Sequence, residues 1–254
     1  MIGFTEADIL AWLNPLLWPF IRCLALFAGM PLFSQRTVPM PVRIGLALFF
    51  SVAAQPSLPP MPVLPLDSLP MLLLLVAQQV LIGLSMGFAV RVVFAALEFA
   101  GELIGLQMGL NFAGFFDPGT GSQGTATARF FGTLVAFLFV VTNGHLMLIQ
   151  ALAASFHAFP VGTEPFAFLR AAQPQVWGAE IFRIGLWVAL PVLALLLFVN
   201  LMLGVISRVA PQLNVFSIGF PITVSVGLLG LVVTLPLMQV PLATALERVL
   251  AGFS

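Results

Sequence analysis

Charged residues are scarce along this chain. Nine residues are basic and nine are acidic among 254, every basic residue is an arginine, and the formal net charge is zero. An average soluble domain carries about 25% charged residues, whereas this chain has 7% charged and 61% apolar residues. A soluble domain is therefore excluded, and the surroundings of the chain must be lipid, other apolar subunits or both.

Two further shortages exclude other classes of protein. Without a basic arm or a cluster of cations, the chain has no electrostatic footprint for nucleic acid. Cys23 is the single cysteine, so an internal disulfide and a paired-thiol metal site are excluded. Glu6 and Asp8 precede the first apolar run without any basic residue, which is the wrong charge for a secretory signal. We expect that first run to stay in the fold.

The apolar runs predict an all-α integral membrane protein with five to six long, kinked hydrophobic helices. Their bounds are 9–33, 42–54, 71–116, 130–156, 176–209 and 215–240. The second run is short for a membrane span, which needs about 20 residues, and the third is far longer than a bilayer is thick. Proline-rich residues 55–70 cannot form a regular helix, and residues 160–174 indicate a loop.

The distribution of arginine suggests an orientation. With six spans, one side would hold Arg36, Arg43, Arg129 and Arg208, and the other side Arg170 and Arg248. Because cytoplasmic loops carry the excess of basic residues, we place the turn at residues 207–214 in the cytoplasm. Arg208, Pro211 and Asn214 are its marker residues.

The third run gathers charges and glycines on one helical face. At 100° per residue, Arg91 and Glu102 fall within about 40° of Glu98. A second pattern overlaps this face, in which glycines recur at intervals of four: Gly83 and Gly87, then Gly101, Gly105 and Gly109. Such spacing lets helix backbones approach closely, so we predict a helix-packing surface.

Charges within an apolar segment should face protein or a wet cavity rather than lipid. We therefore expect Arg91, Glu98 and Glu102 to form a buried charge stripe. Two interpretations stay open. In one, Arg91 pairs with Glu98 or with a neighbouring subunit and sets the register. In the other, the stripe lines or borders a translocation path.

A glycine- and phenylalanine-rich insertion separates the third and fourth runs at residues 112–125. It lacks the Gly-Lys-Ser/Thr ending of a phosphate-binding loop, so nucleotide binding is not indicated. One interpretation is a flexible connection. The other is a movable plug, since non-helical backbone at membrane depth needs protein or a water-filled cavity around it. The candidate gate or plug residues are Phe112, Gly114, Phe115, Phe116, Asp117, Pro118, Gly119 and Gly121.

Two patterns imitate catalytic sites without the necessary context. Residues 83–87 match Gly-x-Ser-x-Gly around Ser85, but that chemistry needs a strand-to-helix turn and a histidine–acid pair. His145 and His157 stand 12 residues apart with no cysteine or carboxylate cluster around them, which is not a metal-binding pattern. We therefore predict no catalytic residue, no metal, no cofactor and no enzyme.

Several blocks of the chain resemble the FliR family of flagellar export proteins. They are Gln-Val-Leu-Ile-Gly-Leu-Ser-Met-Gly-Phe-Ala at 79–89, Glu-Phe-Ala-Gly-Glu-Leu-Ile-Gly-Leu-Gln-Met-Gly-Leu-Asn at 98–111, Phe-Asp-Pro-Gly at 116–119, Asn-Gly-His at 143–145 and the segment from Asn200 to Pro221. The resemblance covers essentially the whole chain. Its near relative is the homologous protein of injectisome secretion systems.

The resemblance implies a core subunit of the flagellar type III export gate in the bacterial inner membrane and flagellar basal body. Such subunits assemble with FliP and FliQ, associate with FlhB, and form and close a channel for unfolded flagellar proteins. It also implies a FliP-like part at residues 1–175, with a plug loop at about 109–125, and a FliQ-like helical hairpin at 176–254. The helices need not all be ordinary membrane spans.

Two rival functions follow from the residues alone. A secondary transporter or small-solute channel subunit would carry a substrate-sized polar cluster at mid-membrane and work as a single chain or homo-oligomer. An intramembrane hydrolase would depend on Ser85.

Overall fold

The computed structural model describes residues 6–34, 38–63, 68–110, 126–162, 174–210 and 215–253. Within these ranges the regular elements are all helical, and the prediction of an all-α membrane protein is confirmed. The α-helices are α1 (Glu6–Gly29), α2 (Pro31–Ser34), α3 (Met40–Ala54), α4 (Leu69–Gln107), α5 (Ala126–Val141), α6 (Gly144–Ala158), α7 (Pro174–Val209), α8 (Val215–Thr234) and α9 (Gln239–Leu250). Short 3-10 turns follow α3, α8 and α9 at Gln55–Ser57, Leu235–Met238 and Ala251–Phe253.

Among the described residues, three or four segments could cross a membrane. Over the described residues, three stretches are long and apolar enough: Leu69–Gln107, Trp177–Val209 and Ser217–Phe253. A fourth exists only if α5 and α6 are taken together as one broken span. Helix α3, with 15 residues, falls short of the roughly 20 residues that a span requires.

Packing divides the chain into two compact units. Unit 1 contains the described residues up to Val92, those of Asn143–Trp177 and those from Leu246 onward. Unit 2 contains those of Val93–Thr142 and Gly178–Ala245. This division does not follow the predicted boundary between residues 175 and 176. The predicted boundary separates the two parts that the family resemblance implies. Packing within the chain does not test that resemblance, so the boundary stays a prediction.

Unit 1 is built around the contact of α1 with α3 and with the first part of α4. Trp18, Leu26, Ile82 and Met86 are fully buried there. The last turn of the chain packs on α6. Beside it, the Trp177 ring lies 6.0 Å from the Phe253 ring, centroid to centroid.

Unit 2 places α5 against the second part of α4. Phe131 and Phe139 are buried in this contact, and the rings of Phe94 and Phe139 lie 5.8 Å apart between centroids. The best membrane-crossing window of Trp177–Val209 is only 17% buried, against 61% for that of α4. Helix α7 therefore presents most of its apolar side chains outward, where lipid or another protein must cover them.

Helix α4 ends at Gln107, nine residues before the predicted end of the third run. Gly109 has φ +79°, its N–H donates to the Leu106 carbonyl at 3.1 Å, and the Leu110 N–H donates to the Gly105 carbonyl at 3.0 Å. This is the hydrogen-bond pattern of a Schellman helix cap, which needs a left-handed residue such as glycine. The prediction that Gly109 continues the helix-packing surface is therefore wrong, because this glycine terminates the helix.

The fourth apolar run is two helices rather than one. Asn143, between α5 and α6, has φ +58° and ψ +26°, which is the left-handed region. A left-handed residue cannot continue a right-handed helix. Asparagine tolerates this conformation better than other residues with a side chain, and the chain can therefore change direction here.

We expect the two small substitutions at Asn143 to behave differently. Asn143→Ala should lower the free energy of unfolding by about 1 kcal/mol, because alanine is strained in the left-handed region. Asn143→Gly should lie within a few tenths of a kcal/mol of the native protein, since glycine adopts this conformation freely. Thermal unfolding of the purified protein in detergent measures both. Equal unfolding of the alanine and glycine variants would contradict the account.

Candidate functional site

A buried arginine lies at the centre of unit 1. The side chain of Arg22 is fully buried and projects from the middle of α1. Its Nε donates to Gln79 Oε1 at 2.8 Å, Nη1 to Ser155 Oγ at 2.9 Å, and Nη2 to the Phe159 carbonyl at 3.0 Å. One guanidinium thus joins α1 to α4, to α6 and to the backbone just beyond α6.

The partners of this cation are neutral. Besides the three oxygen acceptors, the Phe156 ring lies below the guanidinium, with Cζ 3.7 Å from the ring centroid. A buried charge is costly unless hydrogen bonds compensate it, and a desolvated cation–π contact adds about 2 kcal/mol. Because the fork of N–H groups is rigid, these acceptors must keep their positions for the charge to stay satisfied.

Gln78 extends the network to the turn after α6. Its Nε2 donates to the Pro160 carbonyl at 3.3 Å, and its Oε1 accepts from the Gly162 N–H at 3.3 Å and from Gln79 Nε2 at 3.2 Å. The turn at residues 159–162 is therefore held by side chains of α1 and α4. Non-helical backbone in an apolar setting requires such partners, because water is not there to supply them.

The proline-rich connection after α3 is held in the same way. Asn14 Nδ2 and Trp18 Nε1 both donate to the Pro62 carbonyl, at 2.8 and 3.2 Å. A ring nitrogen of His157 lies 3.2 Å from the Ser57 carbonyl. We call Asn14, Trp18, Arg22, Gln78, Gln79 and Ser155 the polar cluster. Its members mainly form hydrogen bonds with backbone groups of two segments, the connection after α3 and the turn after α6.

Sequence reasoning missed this cluster. A signal was present. Asn14, Trp18 and Arg22 are spaced four residues apart, which puts them on one face of a helix. The acceptors could not be found in that way, because Ser155 and Phe159 lie more than 130 residues farther along the chain.

The predicted packing glycines in unit 1 lie against α1 of the same chain. A Cβ added at Gly83 would overlap the Arg22 carbonyl oxygen, and one added at Gly87 would lie 2.6 Å from the Leu26 carbonyl oxygen. The reciprocal glycine, Gly29, would bring a Cβ to 3.2 Å from Gly87 Cα. The backbones of α1 and α4 are therefore in direct contact.

The next two glycines lie against α5 in unit 2. A Cβ at Gly101 would lie 2.7 Å from the Phe131 ring, and one at Gly105 would overlap Thr127 Oγ1. Here the neighbouring atoms belong to side chains rather than to backbone. These glycines let α4 and α5 pack closely within one chain.

The predicted buried charge stripe is not buried by the chain itself. Arg91, Glu98 and Glu102 are all exposed, which corrects that expectation for the isolated chain. The Glu98 carboxylate lies alongside α5, with Oε1 3.0 Å from where a Cβ on Gly132 would be, but the chain does not enclose it. Burial of these charges would have to come from another molecule.

The remaining predicted residues are placed as follows. Arg208 is exposed near the end of α7, whereas Pro211 and Asn214 lie outside the described residues. So do all the plug residues, Phe112, Gly114, Phe115, Phe116, Asp117, Pro118, Gly119 and Gly121. Ser85 lies inside the continuous helix α4, not on a strand-to-helix turn. In the described part of the chain, no three metal-binding side chains come together.

Comparison with known proteins gives a consistent result. The family model described as "Bacterial export proteins, family 1" matches residues 13–249. The chain is 44% identical over 241 residues to flagellar biosynthetic protein FliR of Pectobacterium carotovorum subsp. carotovorum, covering 94% of this chain and 90% of the relative. Identity and coverage are the same for FliR of Escherichia coli (strain K12). FliR of Bacillus subtilis (strain 168) is 35% identical over 228 residues, 87% and 86% of the two chains.

We expect Arg22→Met to open unit 1. Methionine leaves the three acceptors without their donor, which should cost about 3 kcal/mol or more. Cys23, the single cysteine, is 1% exposed and reports this opening through its reaction with a thiol reagent in detergent. The rate should rise about a hundredfold for that loss of stability.

The control Arg91→Met removes an exposed arginine and should leave the rate unchanged. A native labelling rate in Arg22→Met would show that the hydrogen bonds are dispensable.

We expect alanine substitutions of the glycines to follow a ranking. Gly83→Ala and Gly87→Ala should destabilise most, because the new methyl meets backbone that cannot move aside. Gly105→Ala should cost about 1–3 kcal/mol by overpacking, and Thr127→Ala in the same chain should recover part of the loss by removing Oγ1. Gly204 has no atom within 4 Å of its Cβ position, so Gly204→Ala should stabilise α7 by at most about 1 kcal/mol. Unfolding in detergent measures the series, and equal stabilities would refute close packing.

Proposed function

The chain belongs to family 1 of the bacterial export proteins, and from that membership we propose that it is a core subunit of the flagellar type III protein export gate. The family match over nearly the entire chain is the observation that carries the proposal. The curated relatives carry the name of a flagellar biosynthetic protein, which makes this chain a component of the flagellar export apparatus.

In this proposal the chain assembles with FliP and FliQ subunits in the bacterial inner membrane, at the flagellar basal body, and associates with FlhB. Together they form the channel for unfolded flagellar proteins and close it when idle. The chain itself catalyses no reaction and holds no cofactor. The energy for export comes from other parts of the apparatus.

The outward apolar surface of the chain supports an assembly. Large side chains along α7, among them Phe182, Trp187 and Phe198, are more than half exposed. So are Leu229 and Val233 on α8. Monomeric proteins rarely expose such continuous apolar surface to water. Partner helices and lipid would cover it in the complex.

In this proposal, residues 1–175 resemble FliP and the helical hairpin at 176–254 resembles FliQ. Helices α7 and α8 would be the two arms of that hairpin, with Arg208 beside its cytoplasmic turn. Arg91, Glu98 and Glu102 would meet a neighbouring subunit or the translocation path.

The rival proposal of a small-solute transporter has less support. A solute site needs polar groups that are available to a ligand. In unit 1 the polar cluster instead spends its hydrogen bonds on backbone groups of the same chain, at Pro62, Phe159, Pro160 and Gly162.

The test of the proposed function is purification of the tagged chain from membranes of its own bacterium. We expect small apolar helical proteins to co-purify in fixed ratios and to be identified by mass spectrometry as FliP and FliQ. The variant Arg208→Gln changes an exposed side chain near the end of α7 and should still fold. Comparing the proteins that co-purify with it and with the native chain tests the role of the hairpin turn. A stable homo-oligomer without these partners would contradict the proposal.

We expect deletion of Phe115–Gly121 to make the assembled complex leak ions and small solutes, because the proposed plug is then lost. Solute entry into cells producing the complex, or conductance across a lipid bilayer, measures the leak. A second variant replaces the same seven positions with glycine and serine. It keeps the loop length but removes Phe115 and Phe116, which separates the effect of loop length from that of these side chains. Unchanged permeability in both variants would show that this loop does not close the channel.

A further inference from the structure

Unit 2 contains an apolar cavity to which the proposed export function assigns no role. Its volume is about 260 Å³, and it lies between α7 and the segment joining α8 to α9. The lining residues that matter here are Trp187, Leu190, Pro191, Thr234, Leu237 and Pro241.

The cavity follows from breaks in both helical segments. Pro191 lies inside α7, where it lacks the N–H that would bond to the Trp187 carbonyl and tends to kink the helix. Opposite it, α8 ends at Thr234 and gives way to the 3-10 turn Leu235–Met238, which contains Pro236. Two irregular segments that face one another cannot interlock like regular helices, so a gap remains.

The walls of the gap are largely apolar, although Pro191 leaves the Trp187 carbonyl without its helical donor. The one hydroxyl among the lining residues named above belongs to Thr234, and it already donates to backbone carbonyls of its own helix, at 2.9 Å to Gly230. A buried water needs two to four polar partners. An apolar occupant is therefore favoured.

The mouth of the cavity opens toward the surroundings of a membrane-crossing helix. Trp187 is 68% exposed and Leu190 is 51% exposed on α7, and Leu237 is 65% exposed opposite them. The membrane-crossing window of this helix is the least buried of the three, so acyl chains of a bilayer can reach the mouth wherever a partner subunit leaves it uncovered.

A cation stands one helical turn from the mouth. Arg183, Trp187 and Pro191 are spaced by four residues, which puts them on one face of α7 at about 6 Å per step. The Arg183 side chain is 57% exposed, and its Nε and Nη2 both donate to Glu180 Oε2, at 2.9 and 2.5 Å. Its guanidinium has five N–H groups, and arginine binds phosphate through such groups. Tryptophan is enriched where the bilayer meets its headgroups.

From this order of cation, indole and apolar cavity along one face, we propose that unit 2 binds one phospholipid. An acyl chain fills the cavity, and the phosphate lies at Arg183 above Trp187. The neighbouring carboxylate of Glu180 limits the net positive charge, so the acyl chain contributes most of the affinity and the phosphate sets the orientation. The proposal does not depend on the export role.

The test uses the full-length protein within its native complex, reconstituted in lipid nanodiscs. A phosphatidylethanolamine probe carries a diazirine on its acyl chain, and mass spectrometry locates the labelled residues after illumination. We expect labelling of residues 187–191 and 237–241 to exceed that around Leu197. Leu197 is exposed on the same helix and reports contact with bulk lipid.

Leu190→Trp should fill the mouth and reduce the cavity labelling about tenfold, because the larger side chain occupies the space of the acyl chain. Leu197→Trp is the matched control and should leave the labelling unchanged. Arg183→Gln should reduce labelling by the phospholipid probe about threefold, as for an exposed ionic contact. It should not change labelling by a fatty alcohol that has the same diazirine chain but no phosphate.

Three results would overturn the proposal. One is native labelling of the cavity walls no stronger than that around Leu197. Another is undiminished labelling in Leu190→Trp. The third is cross-linking of a partner protein, instead of lipid, when a photoreactive amino acid replaces Leu237.

Discussion

Arg22 carries a charge that has no contact with water, and unit 1 depends on how that charge is satisfied. Its guanidinium reaches Gln79, Ser155 and the Phe159 carbonyl while resting on the Phe156 ring. Losing any acceptor would leave a desolvated charge short of a partner, which is among the most costly defects that a protein can contain. The same contacts fix the turn after α6, and Asn14 and Trp18 fix the connection after α3. Few polar residues are available in this chain, and those of the polar cluster bind backbone groups beyond the ends of helices.

Direct contact of helix backbones complements these hydrogen bonds. Gly83 and Gly87 let α4 meet the carbonyls of α1, and Gly101 and Gly105 let it meet α5. Helix α4 therefore serves as the common support of both units, and its best membrane-crossing window is the most buried of the three. The outward helix α7 shows the opposite character, with large apolar side chains on its surface. A chain that is tightly packed along one helix and uncovered along another is suited to act as a subunit of a larger membrane assembly.

Composition and helical spacing predict the all-helical membrane class, the glycine spacing of α4 and the proline within α7. They do not predict where long apolar runs break. The run from 71 ends early because Gly109 takes a left-handed conformation, and the run from 130 divides because Asn143 does so. Gly109 resembles the glycines of α4 in sequence, so its role as a helix terminator was not predicted. Asn143-Gly144 is a turn dipeptide, so a signal for the break was present in the sequence, although the apolar run predicts a continuous helix. The contacts of Arg22 were also out of reach, because its acceptors are distant in sequence. The charges at Glu98 and Glu102 were expected to be buried, yet burial depends on molecules outside the chain.

The proposed role, a core subunit of the flagellar type III export gate, can be tested in the bacterium that makes this chain. The measurement is secretion of flagellar filament protein into the medium, with the gene deleted and then restored on a plasmid. We expect secretion to stop on deletion, while the filament protein is still made inside the cell, and to resume with the native gene. Continued secretion by the deletion strain would rule this role out.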